Sequence, residues 1–306
     1  MALSRHEWRR AARVVTRPGT LVRSARERLR MRQYDRDLIA HVCGDPTKRD
    51  AVLLASYPKS GNTYLRFIFA NILALQELDG RVVDYTVLDS SLPTDQFRQD
   101  LLSPWPFRTL PCLLKTHHRH RDVFQRFRRV FLYRHPFDTM VSAYEYFRRR
   151  VAPQPFGAPG ERLALQPYGG TLREFVRERF DGWCAHFLSW HGRANATVRY
   201  QTLRNDPVTT MERLIDRLDL RVDGRVLAEA VARSSFDRVR QLEDERGKSE
   251  KMARLDGRFA RSGRVGQWRE RFSSEDLDYM RGRLFEYRIF EFEGSQPDHP
   301  AASLEH

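Results

Sequence analysis

The chain has 306 residues, 31% charged and 41% hydrophobic, which is enough for one large domain with a substantial core and excludes a disordered chain. No apolar run approaches the roughly 18 residues that cross a bilayer, so a soluble protein is expected. The net charge of +14 rests almost wholly on arginine, because Lys48, Lys59, Lys115, Lys248 and Lys251 are the only lysines. Arginine favours bidentate contacts with phosphate and sulfate. Cys43, Cys112 and Cys184 are odd in number and widely spaced. They argue for reduced thiols in the cytoplasm and against a disulfide framework or a zinc site.

Residues 1–34 form a basic N-terminal arm, with arginine opposed only by Glu7 and Glu27 and with Trp8, Val15, Leu21 and Leu29 interleaved. It lacks the continuous apolar stretch of a secretory signal. Such an arm either packs across the domain or lies on an anionic membrane surface, peripheral to its inner face. Nothing in it resembles a nucleic-acid-binding module.

Ala51 to Ala55 is an apolar run that reads as a buried strand of a parallel sheet. Ser56-Tyr57-Pro58-Lys59-Ser60-Gly61 is turn chemistry, and from Thr63 the spacing of Leu65, Phe69 and Ile72 predicts a helix. A strand, a tight turn and a helix start make an anion site, to which Lys59, Ser60 and Thr63 add donors. The Walker A order fails, because Lys59 precedes the only glycine. An ordinary ATP or GTP site is therefore disfavoured.

Residues 79–109 read as irregular, with Trp105 and Phe107 equally suited to an acceptor pocket or to anchoring the loop in the core. Leu110 to Thr116 and Arg128 to Tyr133 are further strands, the second running into Arg134-His135-Pro136 and a helix through Phe147. Ligands bind at the carboxyl ends of parallel strands, so Lys59, His117 and Arg134 are expected to face one crevice. The Pro- and Gly-rich residues 151–170 suggest a lid. A helix from Thr171 to Trp190, a strand from Ala196 to Tyr200, and a helix capped by Asp206 with Pro207 at its first position follow. Glu243 to Lys251 reads as a solvated loop, and Ser273 or Ser274 caps a last helix. The domain spans 35–293; residues 294–306 are a tail ending in Leu304-Glu305-His306, like the start of a histidine tag.

The string YPKSGNTY resembles the 5′-phosphosulfate-binding loop of the cytosolic-type sulfotransferases, which depend on 3′-phosphoadenosine 5′-phosphosulfate (PAPS). Asn62 falls at a variable place and Tyr64 stands where tryptophan is usual. The resemblance continues in family order to Phe290, and a bacterial member is expected. Lys115-Thr116-His117 is similar to the segment whose histidine is the catalytic base. Arg134 and Ser142 resemble the pair on the donor's 3′-phosphate. Tyr200 and Ser234-Ser235-Phe236 resemble the segments around the adenine. Arg261-Ser262-Gly263 resembles R-K-G of the same clamp, with Ser262 replacing a lysine; Arg258 and Arg264 are the neighbours available to compensate.

The resemblance implies a single α/β domain with a central parallel sheet of about five strands flanked by helices, and a P-loop-like phosphosulfate loop. It implies sulfonate transfer from PAPS to an acceptor hydroxyl, releasing adenosine 3′,5′-bisphosphate (PAP) without a metal. His117, Lys59 and Lys115 would be catalytic. Lys59, Ser60, Gly61, Asn62, Thr63, Tyr64, Arg134, Ser142, Tyr200, Phe236, Arg261, Ser262 and Gly263 would hold the donor. Three closely spaced histidines, His117, His118 and His120, lack the carboxylate or cysteine partners of a metal site. The acceptor is a small-molecule, glycan or lipid hydroxyl, and Trp105, Phe107, Phe147, Phe156 and Tyr168 are candidates to line its pocket. Two other classes are a P-loop nucleotide kinase or hydrolase and a non-catalytic basic module that binds anions.

Overall fold

The computed structural model describes residues 29–150, 167–250 and 255–292. Residues 29–38 are helical (α1) and pass into a π turn at Ile39–Cys43. The central strand β1 (Val52–Ser56) is buried along its whole length. It pairs in parallel with β2 (Leu113–Thr116) on one side and β3 (Arg128–Tyr133) on the other, and β3 pairs in parallel with β4 (Ala196–Arg199). The order β2-β1-β3-β4 makes four strands among the described residues, one fewer than expected. Connections leave β1 and β3 toward opposite sides of the sheet, so their carboxyl ends frame a crevice.

Helix α2 (Asn62–Glu77) follows β1 directly and is buried from Leu65 to Ala74. Residues 79–109 are less irregular than their turn residues suggest. They hold α3 (Tyr85–Ser91), whose N-cap Asp84 accepts from Thr86 and Val87 N–H, and the single turn α4 (Arg98–Leu102). Trp105 donates from Nε1 to the Leu110 carbonyl and packs edge-on against Phe107 at 5.0 Å, which makes both residues anchors of the core.

Helix α5 (Pro136–Arg148) starts at a proline, and α6 (Leu172–Trp190) at a capping box between Thr171 and Glu174. Residues 151–166 of the proposed lid lie outside the described residues. Tyr200 opens α7 (Tyr200–Asn205) instead of ending β4, and Asp206 caps α8 (Pro207–Arg217). Helix α9 (Gly224–Arg233) packs on α2, where buried Asn71 donates to Ser234 Oγ at 3.0 Å. Helix α10 (Phe236–Arg246) extends into the stretch read as a loop. Its last turns are held by buried Glu243, which accepts from Phe259 N at 2.6 Å and Ala260 N at 3.0 Å. Ser273 caps α11 (Ser274–Glu286).

Candidate active site

The turn between β1 and α2 is built around two left-handed residues. Lys59 has φ +68°, which costs a side-chain-bearing residue about 1–2 kcal/mol, and Gly61 has φ +102°. Gly61 is also tightly covered, since a Cβ there would stand 2.2 Å from Tyr200 Cδ2. Asn62 ties the turn to the strand by donating to Leu54 O and Ser56 Oγ, both at 3.1 Å. Ser60 is fully buried and its Oγ has no partner. Lys59 Nζ lies 3.8 Å from the Phe259 ring centre and 4.5 Å from that of Tyr146. Burial, then the charges of Arg149, Arg134, Lys115 and Arg261, push its pKa down to about 7.

His117 stands just beyond β2. Its Nδ1 lies 2.7 Å from the Ser56 carbonyl, which can only accept, so Nδ1 carries the proton and Nε2 keeps its lone pair. Burial and the Lys115 charge hold its pKa well below the ordinary histidine value, against the pull of the Ser56 bond. His118 is turned the other way, buried with its ring 4.5 Å from that of Tyr34. The Tyr34 hydroxyl donates to Asp95 at 2.5 Å, and Asp95 N donates to Lys115 O at 3.0 Å. Helix α1 thereby braces the segment beside the end of β2.

A third group converges from the carboxyl end of β3. Arg134 is 4% exposed, lies 4.7 Å from the Tyr200 ring centre and donates to Arg264 O at 2.7 Å. Tyr200 donates in turn to Gly263 O at 3.1 Å. Asp138, in the first turn of α5, accepts from Gly266 N at 2.8 Å and Trp268 N at 3.3 Å, pinning the 261–268 segment to the helix start. A Cβ at Gly263, φ +59°, would stand 2.8 Å from Phe236 Cδ2, so glycine is what lets this backbone lie on the ring. Arg258 pairs with Asp244 and Arg264 with Glu270, and neither lines the cavity. The cation missing at Ser262 is not restored by them.

These groups surround one cavity of about 240 Å³. Lys59, Gly61, Asn62, Thr63, Tyr64, Lys115, His117, Arg134, Ser142, Tyr200, Phe236, Arg261, Ser262 and Gly263 all line it, and of the expected site residues Ser60 alone lies behind the wall. Phe147 also lines it; Trp105, Phe107 and Tyr168 do not, and Phe156 is outside the described residues. Residues not foreseen from sequence include Arg150, Arg204, Tyr146, Gln96, Phe97 and Phe259. Arg150 and Arg204 each fall four residues after an aromatic lining residue, Tyr146 and Tyr200, but Tyr146 is not among the expected site residues and Tyr200 reads from sequence as the end of a strand, so that spacing gives no signal. Among the described lining residues seven are basic and one, Asp89, is acidic, and that one pairs with Arg66 at 3.6 Å. The excess of donors and cations along the lining, with buried Arg134 Nε unpartnered, fits a multiply charged anion such as PAPS. No group of three or more His, Cys, Asp or Glu side chains is set to hold a metal among the described residues.

Residues 49–284 match the sulfotransferase domain family. The chain therefore belongs to that family and is an enzyme that takes PAPS as sulfonate donor. It is 26% identical to sulfotransferase 4A1 of Mus musculus over 260 residues, covering 80% of this chain and 82% of that one. Flavonol 3-sulfotransferase of Flaveria bidentis is 22% identical over 253 residues, covering 74% and 78%. Two solved structures share the fold. Retinol dehydratase in complex with androsterone and the inactive cofactor PAP has a TM-score of 0.60 at 16% identity, covering 88% of both chains. Mouse sulfotransferase SULT7A1 complexed with PAP has a TM-score of 0.57 at 19% identity, covering 85% of this chain and 90% of that one.

Proposed function

We propose that the enzyme transfers the sulfonate of PAPS to an acceptor hydroxyl by in-line displacement, with His117 Nε2 as general base. The carrying observation is the bond from His117 Nδ1 to the Ser56 carbonyl, which leaves Nε2 unprotonated in a cavity shared with Lys59 and Lys115. The acceptor oxygen forms a bond to sulfur as its proton passes to Nε2. The bond from sulfur to the 5′-phosphate oxygen breaks, and its electron pair stays on PAP. Lys59 and the start of α2 stabilise the charge growing on that phosphate, while Lys115 serves the sulfonate. Arg134, Ser142, Arg261, Ser262 and Gly263 hold the 3′-phosphate, and Tyr64, Tyr200 and Phe236 hold the adenine. The charge-stabilising work is electrostatic and positional, as in phosphoryl transfer.

The acceptor is a small-molecule, glycan or lipid hydroxyl. Retinol, androsterone and flavonol, named for the relatives and neighbours, support a hydroxyl compound with an apolar body. The basic arm at residues 1–34 supports contact with an anionic membrane surface from the cytoplasmic side.

The test supplies sulfur-labelled PAPS with a panel of hydroxyl acceptors and follows labelled ester. His117→Ala is expected to lower turnover at least about 100-fold, the usual contribution of a general base, with PAP affinity nearly unchanged. His118→Ala should retain transfer in its folded fraction, because His118 packs on Tyr34 away from the cavity. The opposite pattern would make His118 the base and displace His117 from this role.

A further inference from the structure

The sulfonate-transfer reading uses the cavity but leaves the outer face of α1 without a task. Leu29, Arg32, Arg36 and Ile39 follow one another at three- and four-residue steps and are exposed, while Tyr34, Leu38 and Val42 on the opposite face are buried. Leu29 is 64% and Ile39 41% exposed. Lys48 ties this helix to α4, donating to His41 O at 2.9 Å and Leu101 O at 2.6 Å, and the next residue, Leu102, is 50% exposed. Three of the five exposed large apolar side chains among the described residues therefore lie on α1, the π turn that continues it and the end of α4.

Charge on this face is sorted by sign. Asp35 is bound by Arg121 in two hydrogen bonds, at 2.8 and 2.5 Å, and Asp37 accepts from Gln33 at 2.9 Å and lies 3.6 Å from Arg98. The helix's own acids are thus taken up, and Arg32 and Arg36 stand in solvent between Leu29 and Ile39. In sequence, residues 1–28 carry eight arginines against two glutamates. A face that mixes exposed apolar tips with unopposed cations matches the boundary of an anionic bilayer, where headgroups meet the cations and the acyl region receives the tips. A polyanionic glycan would use the arginines and leave the apolar side chains in water.

We infer that the α1 and α4 face seats the protein on an anionic membrane, and that the acceptor hydroxyl is carried by a lipid or lipid-dissolved molecule. The location supports the second half. Gln96 and Phe97 line the cavity, and the chain passes from Phe97 straight into α4 at Arg98. The membrane-facing surface therefore adjoins the cavity on the side of Lys115, whose backbone pairs with Pro93 and Asp95 just before Gln96. Only this acceptor half rests on the sulfonate-transfer reading.

The experiment uses the full chain and sedimentation with phosphatidylcholine vesicles, with and without phosphatidylglycerol, at low and physiological salt. Heparin and PAP binding are measured alongside. Wild type is expected to bind only the anionic vesicles. The triple variant Leu29→Ser, Ile39→Ser, Leu102→Ser keeps every charge and should bind them roughly tenfold more weakly. Arg32→Glu with Arg36→Glu should weaken them by roughly tenfold or more, most at low salt. PAP affinity should stay unchanged in both. Wild-type vesicle binding in all variants would overturn the assignment of this face. Loss confined to the arginine variant, equal for vesicles and heparin, would make the face a polyanion site and overturn the membrane proposal. Vesicle binding by a wild-type chain that bound no PAP would keep the face and overturn its link to sulfonate transfer.

Discussion

Lys59 is asked to hold a positive charge where its surroundings oppose one. Burial and four neighbouring cations bring its pKa down to about 7, so near neutrality its proton is held loosely in the free protein. An anion in the cavity reverses the balance and raises that pKa toward the usual lysine range. Between pH 7 and the raised value, the complex therefore binds a proton that the free protein lacks, and PAP binding takes one up. Affinity should be greatest near and below pH 7, as far as the phosphates stay ionised, and should fall as pH rises above 7. Calorimetry in two buffers of different ionisation enthalpy measures the uptake directly. Lys59→Ala should remove the uptake, and uptake that persisted in this variant would place the titrating group elsewhere.

At the scale of elements, the strand, turn and helix from Val52 to Glu77 form a single device whose tightest point is Gly61. Gly61→Ala would carry a strained φ and drive Cβ into the Tyr200 ring, so Tyr200 must move away from Arg134 and Gly263. A lower melting temperature and at least roughly tenfold weaker PAP binding are expected, since about 1–2 kcal/mol of backbone strain falls on the folded loop. Wild-type affinity in this variant would show that Tyr200 is free to shift without cost. Much of the fold was legible beforehand: the apolar run at Ala51 to Ala55, the strand from Arg128 to Tyr133, and Pro136 and Asp206-Pro207 at helix starts are all local signals. Helices α3 and α4 escaped because at seven and five residues they are too short to show a period among turn residues. Glu243 escaped for another reason. A charge reads as solvated unless the backbone N–H groups that bury it, here those of Phe259 and Ala260, are known to be near. Arg150 and Arg204 reach the cavity only through the convergence of α5, α7 and the sheet, and no neighbouring residue in sequence announces that.

Taken as a whole, the molecule closes its donor site with segments drawn from distant parts of the chain. Tyr200 covers Gly61, lies under Arg134 and donates to Gly263, so four stretches of chain meet at one phenol. Asp138 holds Gly266 and Trp268, and Asn71 holds Ser234, by the same kind of long-range bond. Contacts between remote residues form slowly, because chain entropy is spent before they return anything. The ability to bind PAP is therefore expected to appear late in refolding from denaturant, after the far-ultraviolet circular dichroism signal of the helices has largely recovered. Simultaneous recovery of both signals would mean that the donor seat and the sheet form in one step. For a chain leaving the ribosome, the consequence of Tyr200's position is one of timing. The lysine loop emerges early as a bare strand and helix, and it becomes a seat for the nucleotide only when synthesis has passed Gly263.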